Sequence, residues 1–389
     1  MPVDHGDITR PNPRRVAVLV EASNAYGRGL LRGIAAHVRT HGRWTIQLSE
    51  MGRGGPLPEW LDAWRGDGIL ARIENPETAE AVADKGVPAV DLSAGRLLPS
   101  LAWVEVDEAS VAHAAYDHLA GRGLENLAYC GDPRFSWSPL RGDAFAAVAR
   151  RHGRSIARFD LPGVTERGED RVATLTRWLG EQPLPLGVLA CYDRMGREVL
   201  EACRAARLLV PEQVAVLGVD DDEVLCDLCD PPLSSVSLNG RGAGRAAAEL
   251  LARAMDGEAL DPAGHLVEPL GVAERRSTDI LAVEDPMLAE ALHFIHHHAA
   301  EGIGVEDVLR AVTVSRRALE VRFKATLGRS PHQEILRTRM ERIRTLLLET
   351  ELTIAEIARR TGYSHVEYMT VAFKRSLGCT PTEYRARAR

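Results

Sequence analysis

The first 280 residues alternate short apolar runs with longer amphipathic runs. Two series of strands are predicted, the first at RRVAVLVE, WTIQLSE, GILARI, PAVDLS and WVEVD, the second at NLAYCGD, SIARFD, GVLACYD and VAVLGVDDD. Helical patterns such as GRGLLRGIAAHVRTH and GREVLEACRAARLLV separate these strands. Strands this apolar, linked by helices, are typical of parallel sheets that helices cover on both faces. The pattern therefore predicts an α/β body of two lobes from residue 15 to about residue 280.

Polar and aromatic side chains follow several of the predicted strands. Ligands of open parallel sheets bind beyond the carboxyl ends of the strands, so these residues are candidates for a binding site. Carboxylates that accept from hydroxyls, an arginine that donates and aromatic faces that cover C–H bonds are typical of sugar sites. The alternative is that each aspartate caps the helix that follows its strand. The candidates are Asn24, Tyr26, Asp107, Phe135, Trp137, Arg141, Asp193 and Asp220.

The last hundred residues carry a pattern that occurs twice. FKATLGRSP begins at Phe323 and FKRSLGCTP begins at Phe373, and a short helical pattern and a turn precede each copy. In the second helix of each copy, apolar residues at i and i+4 face inward, and a glycine then ends the helix. The repeat predicts two helix-turn-helix units. A purely structural helical repeat would have similar punctuation, and the pattern alone leaves this alternative open.

The segment between the two units is also helical in pattern. PHQEILRTRMERIRTLLLE predicts a helix of about 18 residues, which would span roughly 27 Å. Successive major-groove entries on one face of B-DNA are about 34 Å apart. A rigid helix of this length, together with its flanks, can hold two recognition helices one turn of DNA apart, so the spacing favours DNA as the ligand.

Charge is divided unevenly along the chain. Residues 286–389 contain 17 Lys and Arg against 12 Asp and Glu, whereas the 285 residues before them contain 31 against 43. A basic tail on an acidic body indicates that the tail meets a polyanion and the body does not. A solvated surface is the alternative interpretation, because charge alone is a weak signal.

The composition is that of a globular protein with two or three domains. Hydrophobic residues make up 45% of the 389 and charged residues 26%, which excludes collagen-like, largely disordered and membrane-embedded chains. No apolar run reaches the roughly 18 residues that cross a bilayer, and the first residues lack the apolar stretch of a signal peptide. We therefore expect a cytoplasmic protein with no membrane partner, a disordered leader at residues 1–14 and reduced cysteines.

Motifs that would indicate an enzyme or a metal site fail on inspection. The GRGAG run has Arg245 where a dinucleotide-binding fingerprint needs glycine. Cys226 and Cys229 form one CxxC pair without a second pair or nearby histidines, and the histidines at 296–298 lie on different helix faces. No catalytic pair stands out among the many carboxylates. We therefore expect no metal, no cofactor and no enzymatic activity.

The tail is specific enough to indicate a family. IAEIARRTGYSHVEYMTVAFKRSLGCTPTEYR resembles the signature of the AraC-type DNA-binding domain, with Met369 where that family usually has an aromatic residue. The body resembles the sugar-binding module shared by lactose-repressor-type regulators and periplasmic sugar-binding proteins. This likeness rests on VEVDEASVAHAAYDHLAGRGLENLAYCG, on Arg141 and Phe145, and on VAVLGVDDDEVLCDLCDPPLSSV. A sugar module followed by an AraC-type tail, with NAYGR and ERRSTD, is similar to the xylose operon regulators.

The resemblance implies both a fold and a function. The fold would be a two-lobed periplasmic-binding-protein-like body at residues 15–280 and an all-α double helix-turn-helix domain at residues 281–389. The function would be sequence-specific regulation of transcription, expected to be activation, in response to a monosaccharide, xylose or a related pentose. The sugar would close the lobes and reposition the paired tails of a homodimer on promoter DNA, with RNA polymerase as a candidate partner. A sugar-processing enzyme or a sugar-transport protein with a basic tail is the alternative.

The resemblance also implies DNA contacts on the second helix of each unit. Arginine can read guanine, glutamate can accept from cytosine, and valine or threonine methyl groups can meet thymine methyl groups. The groove-facing candidates are Arg317, Glu320, Val321, Val366, Glu367, Thr370 and Val371. The remaining basic residues suit phosphates, which supply affinity without sequence information. These are Arg316, Arg322, Lys324, Lys374 and Arg375, and Ser315 and Ser364 at the ends of the two turns complete the set.

Overall fold

A computed structural model describes residues 13–41, 44–48, 55–160, 171–262, 264–279 and 285–388. Its internal contacts divide the chain into two compact units. The body contains residues 1–206 and 215–279, and the tail unit contains residues 207–214 and 280–389. The leader expected at residues 1–14 lies outside the described residues except for Pro13 and Arg14, and Arg14 begins the first strand.

The first lobe of the body is built on a six-stranded sheet. Its strands are β1 (Arg14–Leu19), β2 (Trp44–Leu48), β3 (Gly68–Ala71), β4 (Ala89–Asp91), β5 (Ala102–Val106) and β11 (His265–Val267). The strand order is β11-β5-β4-β3-β1-β2, and the neighbouring strands are parallel. The register places Val18 of β1 beside Leu48 of β2 and Leu70 of β3. β3 is buried along its whole length, which explains why its sequence is a continuous apolar run.

The second lobe contains a sheet of the same size. Its strands are β6 (Asn126–Gly131), β7 (Ile156–Asp160), β8 (Leu186–Ala190), β9 (Val214–Val219), β10 (Ser234–Ser237) and β12 (Gly271–Ala273). They are ordered β12-β10-β9-β8-β6-β7, and β12 is antiparallel to β10 at the edge. β8 and β9 are buried along their whole lengths. The two predicted strand series thus form two separate sheets, as expected.

Helices pack on these sheets. They are α1 (Ala25–His41), α2 (Trp60–Ala63), α3 (Pro76–Ala83), α4 (Glu108–Ala120), α5 (Trp137–Arg151), α6 (Arg171–Gly180), α7 (Asp193–Ala205), α8 (Glu223–Asp227) and α9 (Gly240–Met255), followed by a short 3-10 turn at Arg276–Thr278. α3 illustrates how the sequence sets a helix start. The Asn75 side chain accepts a hydrogen bond from the Thr78 amide, and Pro76 supplies the first helical residue.

The chain passes between the two lobes three times. It leaves the first sheet after β5 and enters α4, which packs against α5 of the second lobe. It returns after β10 through α9, which contacts β3, β4 and β5. It crosses again between β11 and β12. Each lobe is therefore assembled from separated stretches of sequence, and residues next to the crossings lie close to both lobes.

The contact between α1 and α9 depends on glycine. A Cβ atom at Gly33 would lie 2.2 Å from the Arg241 carbonyl oxygen, and one at Gly244 would lie 2.1 Å from the Leu30 carbonyl oxygen. Real side chains cannot approach a backbone oxygen this closely, so only glycine fits at either position. The GRGAG run, which fails as a dinucleotide fingerprint, therefore packs α9 against α1.

The tail unit contains two helical cores that share one helix. Its helices are α10 (Pro286–His298), α11 (Val305–Val312), α12 (Arg316–Leu327), α13 (Pro331–Glu349), α14 (Ile354–Arg360), α15 (Val366–Leu377) and α16 (Pro381–Ala388). Ile335 of α13 packs with Leu319 and Phe323 of α12, and Ile343 of α13 packs with Met369 and Phe373 of α15. Two helix-turn-helix units, α11–α12 and α14–α15, are joined by α13, as the repeat predicted.

A buried ionic cluster lies inside the tail unit. Glu212, from the segment 207–214, is fully buried, and its Oε1 lies 2.9 Å from Nδ1 of His296 on α10. The other ring nitrogen of His296 lies 3.4 Å from Oε1 of Glu334 on α13. Burial alone would lower the pKa of His296, but its hydrogen bonds to both carboxylates raise it to about 9. Three separate segments of the chain are therefore held together by one charged imidazole ring.

Candidate functional site

The body contains a cavity beside two of the lobe crossings. Val106 ends β5 and Leu238 follows β10, and both line the cavity. The first lobe also contributes Tyr26, Arg72 and Glu105, and the second contributes Glu108, Trp137, Arg141 and Asp220.

Tyr26 is positioned by the start of α1. The Gly27 amide donates to Oδ1 of Asn24 at 2.8 Å, and Nδ2 of Asn24 donates to Oε1 of Glu21 at 3.0 Å. Asn24 therefore holds the first turn of the helix, and Tyr26 in that turn is buried against the cavity. The Tyr26 backbone also lies close to Gly240 at the start of α9, where a Cβ would be 2.7 Å from the Tyr26 carbonyl oxygen.

Arg72 and Glu105 form the charged part of the first-lobe wall. Arg72 directly follows β3, its Nη1 lies 3.0 Å from Oε1 of Glu21, and its Nη2 donates to Glu74. Burial would lower the pKa of Arg72, but the surrounding carboxylates hold it well above its usual value. Glu105 lies within β5, and its Oε1 accepts from the Val106 amide at 2.9 Å. Burial raises the pKa of Glu105 to about 7.

Arg141 and Trp137 form much of the second-lobe wall. Nε and Nη2 of Arg141 donate to the two carboxylate oxygens of Glu108 at 2.6 and 2.7 Å, and Nη1 donates to the Cys191 carbonyl oxygen. The guanidinium carbon of Arg141 lies 5.0 Å from the centre of the Trp137 ring. Phe135 stacks on Trp137, with the ring centres 5.3 Å apart. A bidentate ion pair with Glu108 and the contact with the Trp137 ring therefore fix Arg141.

Asp220 lines the cavity from the loop after β9, and hydrogen bonds to the Asp193 side chain stabilise this loop. The Asp220 backbone has a φ of 113°, a conformation that residues with a side chain rarely adopt. The buried carboxylate of Asp193 accepts from the Ser235 hydroxyl at 2.5 Å and from the Asp222 amide at 2.7 Å. Burial, and then the nearby Asp220 carboxylate, raise the pKa of Asp193.

Four of the eight predicted sugar-site residues line this cavity, namely Tyr26, Trp137, Arg141 and Asp220. The other four, Asn24, Asp107, Phe135 and Asp193, lie outside its lining. Asn24, Phe135 and Asp193 support cavity residues through the contacts described above. Asp107 caps α4, since its carboxylate accepts from the Ala109 amide at 3.0 Å and from the Ser110 hydroxyl at 2.6 Å. The capping alternative therefore describes Asp107 well.

Sequence reasoning missed Arg72, Glu105 and Glu108. Glu105 lies inside a strand, whereas the carboxyl-end rule points to residues that follow strands. Arg72 does follow β3, and a charged residue inside the otherwise apolar run GILARI was the signal that could have identified it. Glu108 was overlooked because Asp107 stands next to it and matches a helix cap.

The lining favours a neutral ligand with several hydroxyl groups. Two guanidinium groups, Arg72 and Arg141, stand with three carboxylates, Glu105, Glu108 and Asp220. Hydroxyl groups both donate and accept, so they can pair with either kind of group, whereas a phosphate would meet three carboxylates. No group of three or more potential metal ligands occurs in the part of the chain that the structure describes.

The first helix-turn-helix unit presents an exposed basic helix. In α12 the predicted contact residues Arg316, Arg317, Glu320, Val321, Arg322 and Lys324 are all exposed, as is Ser315, which caps the helix by accepting from the Ala318 amide. Some of these cations already have partners. Arg316 pairs with Glu306 and Glu320, and Arg322 pairs with Asp285. Arg317 has no ion pair with any described residue.

The second unit presents a less basic helix. In α15 Glu367, Val371 and Lys374 are exposed, as is Ser364 before it, while Val366 and Thr370 are half-buried. Val366 packs against the second core of the tail unit. Tyr368 was not predicted, yet it is 69% exposed and lies one turn before Val371, which is 67% exposed. Both side chains are therefore accessible to a ligand on the same face of the helix.

Three family profiles match the chain. Residues 15–100 match a XylR N-terminal domain, residues 116–278 match a periplasmic binding protein-like domain, and residues 308–387 match a helix-turn-helix domain. The order of these domains agrees with the resemblance drawn from the sequence. Among the described residues no helix has the length and apolar character needed to span a membrane.

Similar proteins align along almost the whole chain. The xylose operon regulatory protein of Escherichia coli K12 is 33% identical over 382 residues, which cover 95% of this chain and 96% of the relative. Its namesake from Haemophilus influenzae is 28% identical over 382 residues, covering 95% and 98%. A solved structure described as the xylose-binding transcription activator XylR is 31% identical, with a TM-score of 0.84 and coverage of 97% of this chain and 98% of that one.

These comparisons favour neither the enzyme nor the transport protein left open by the sequence, because the matched relatives are regulators. The chain is a transcription regulator with a helix-turn-helix DNA-binding domain and a body of the periplasmic-binding-protein type. It belongs to the family of xylose operon regulatory proteins.

Proposed function

We propose that this regulator binds xylose or a closely related pentose in the body cavity and activates transcription in response. The observation that carries the proposal is a cavity whose walls come from both lobes and combine Tyr26 and Trp137 with charged groups of both signs. The names of the relatives support xylose as the sugar and activation as the outcome. The protein acts in the cytoplasm, where promoter DNA and RNA polymerase are available as partners.

Sugar binding is coupled to DNA binding through closure of the lobes. The cavity lies next to two of the crossings, so a sugar that contacts both walls favours a closed arrangement of the body. A ligand shifts such an equilibrium only through its different affinities for the two arrangements. In a homodimer the closed bodies present two tail units together on one promoter.

On DNA, α12 and α15 enter successive stretches of the major groove. The exposure of Arg317, Val321, Tyr368 and Val371 supports a role in reading bases. Lys324, Lys374 and Arg375 are exposed and suit phosphates. The ion pairs of Arg316 and Arg322 within the tail unit reduce what either contributes to phosphate binding. The sequence ranges 15–280 and 281–389 remain our proposal for the functional domains.

The test is a fluorescence titration of labelled promoter DNA with the full-length protein at fixed salt, with and without sugars. Xylose is expected to change the DNA affinity, and glucose at the same concentration is expected to change it much less. Arg317→Ala should relax preference at one base pair, while Lys374→Ala should weaken all DNA sequences alike and lower the salt dependence by about one counterion.

Two results would contradict the proposal. DNA binding that no pentose alters would remove the effector role, and binding that neither substitution changes would remove the docking of α12 and α15. Mass measurement of the protein and of its DNA complex in solution tests the homodimer, and a single protein chain on the promoter would exclude it.

A further inference from the structure

Four buried polar atoms on the first-lobe wall have no hydrogen-bond partner among the described residues. They are Oη of Tyr26, Nε and Nη1 of Arg72 and Oε2 of Glu105, and all three residues line the cavity. A buried polar group without a partner costs free energy. Their convergence on one cavity indicates groups that a bound ligand would satisfy.

Other contacts of Tyr26, Arg72 and Glu105 hold these unpaired atoms in place. Arg72 lies between Glu21 and Glu74, where Nη2 donates to Glu74 and Nη1 forms an ion pair with Glu21, which leaves Nε and Nη1 without a hydrogen-bond acceptor. Glu105 is fixed through Oε1 by the Val106 amide, which leaves Oε2. The guanidinium carbon of Arg72 lies 5.5 Å from the centre of the Tyr26 ring. The three groups therefore form a preorganised set of donors and acceptors.

Arg141, the arginine on the second-lobe wall, differs from Arg72 because its nitrogens have hydrogen-bond acceptors within the protein. Each nitrogen of Arg141 already donates, two of them to Glu108 and one to the Cys191 carbonyl oxygen. Its stacking on Trp137 fixes the plane of the guanidinium group. Arg141 therefore has fewer donors left for a ligand, and its first effect is to hold Glu108 and the second-lobe wall in position.

We propose that Tyr26, Arg72 and Glu105 form the subsite that sets which sugar this regulator accepts, by binding two adjacent hydroxyl groups. One hydroxyl oxygen accepts from Nε of Arg72, the neighbouring hydroxyl pairs with Oε2 of Glu105, and the Tyr26 hydroxyl bonds to either. The proposal rests on the proposed function, in which the effector is a monosaccharide. It goes further by assigning stereochemical selection to the first lobe.

Discrimination follows from the burial of these groups. A sugar that lacks one of the two hydroxyls, or presents it in the other configuration, leaves Arg72 or Glu105 buried and unpaired. Sites that hydrogen-bond a hydroxyl reject analogues without it far more strongly than an apolar pocket rejects a methylene. Hydrogen bonds to charged groups are the strong ones, so the loss corresponds to about tenfold or more in affinity.

The experiment is calorimetric titration of the full-length protein with xylose, arabinose, ribose and lyxose, and with the monodeoxy analogues of the sugar that binds most tightly. Glu105→Gln and Arg72→Lys are expected to weaken that sugar about tenfold or more and to narrow the differences among the four pentoses. One monodeoxy analogue should bind the wild type as weakly as the parent sugar binds the variant. The same analogue should lose little further affinity in Glu105→Gln.

Glu80→Gln is the matched control, because Glu80 is an exposed carboxylate on α3 of the same lobe. Tyr26→Phe removes a single oxygen atom and keeps the test available if either charge substitution fails to fold.

The subsite is overturned if Glu105→Gln and Tyr26→Phe keep the wild-type ranking of pentoses and of deoxy analogues. A wild-type protein that binds none of these sugars overturns the proposed effector, and the subsite with it. Sugar binding without an effect on DNA leaves the subsite standing and overturns only the coupling.

Discussion

At the scale of single residues, the stability contributed by the buried ionic cluster of the tail unit depends on pH in a defined way. The pKa of His296 is raised from 6.5 to about 9, because Glu212 and Glu334 stabilise its charged form in a buried position. A pKa that is higher in the folded chain adds stability that is complete below the unfolded pKa and is lost as pH rises through the folded one. The cluster is therefore weakened in alkaline solution.

The carboxylates of the same cluster have the opposite dependence. Burial would raise the pKa of Glu212, but its hydrogen bonds to His293 and His296 lower it from 4.5 to about 2. The pKa of Glu334 is also lowered to about 2, in this case by His296 and Arg337. Their contribution is complete above pH 4.5 and is lost as pH falls through about 2. The cluster as a whole is strongest between about pH 4.5 and 6.5.

We expect the free energy of unfolding of the tail unit to fall by on the order of 2 to 3 kcal/mol between pH 6.5 and 9. His296→Gln should remove this slope and lower the stability at pH 6. Urea unfolding of the full-length protein at several pH values measures both effects. His298→Gln is the control and should keep the slope, because His298 is half-buried on the same helix but pairs with Glu301 outside the cluster. Equal slopes in the wild type and His296→Gln would show that the cluster does not titrate as described.

At the scale of helices and strands, the sequence predicts the elements well because their periodicities are strong. The segment 331–349 is helical over its whole length, and the two turns precede α12 and α15 as the repeat requires. The pairing of strands into two separate sheets follows from the two apolar series. The positions of β11 and β12 were not predicted, because three-residue strands at sheet edges carry too short a pattern.

The candidate site is less accessible to sequence reasoning than the elements. Asp220 and Arg141 follow from the carboxyl-end rule and from the resemblance, because both lie where a parallel sheet exposes polar groups. Glu105 does not, since its side chain reaches the cavity from inside a buried strand. Whether a polar residue lines a cavity or caps a helix depends on tertiary packing, as Asp107 illustrates.

The crossing of α1 and α9 gives a prediction at this scale. Gly244→Ala would place a methyl group 2.1 Å from the Leu30 carbonyl oxygen, so the helices must separate. We expect a loss of about 1 to 3 kcal/mol in the stability of the body and weaker sugar binding, because α1 carries Tyr26. Urea unfolding and sugar titration measure the two effects.

Gly180→Ala serves as the control for this substitution. Gly180 ends α6, and a Cβ there would meet no atom within 4 Å among the described residues. Its replacement should leave stability within a few tenths of a kcal/mol or raise it slightly. If Gly244→Ala behaved like Gly180→Ala, the close approach of α1 and α9 would not be needed for the fold.

At the scale of the whole molecule, a short path leads from the cavity to the end of the body. Asp220 lines the cavity, and its neighbour Asp221, with a φ of 54°, accepts from Nη1 of Arg275 at 2.9 Å. Arg275 also donates to Asp227 at 2.7 Å. It directly precedes the turn at residues 276–278, which is the last element of the body. A sugar that shifts the strained loop at residues 220–221 therefore acts directly on Arg275.

Arg275→Lys should separate sugar binding from the response. Lysine keeps the charge but cannot hold Asp221 and Asp227 at once with the same geometry. We expect sugar affinity to stay within about twofold, while the change in DNA affinity caused by sugar shrinks at least about threefold from the 5- to 150-fold range typical of allosteric coupling. Parallel titrations with sugar and with DNA measure both. Arg204→Lys, whose exposed arginine pairs with Asp230, is the control. A full sugar response in Arg275→Lys would exclude this path.

The three crossings between the lobes constrain how such a regulator can change its effector. Because β11 completes the first sheet and β12 the second, any truncation between residues 107 and 264 leaves both lobes unfinished. A single recombination event between two related genes would likewise join mismatched walls around the cavity. Exchange of one intact lobe between two such genes needs several splice points at once. Exchange of the whole gene, which carries the body together with its tail unit, needs none. Sugar preference in this architecture should therefore diverge by point substitution rather than by the shuffling of lobes.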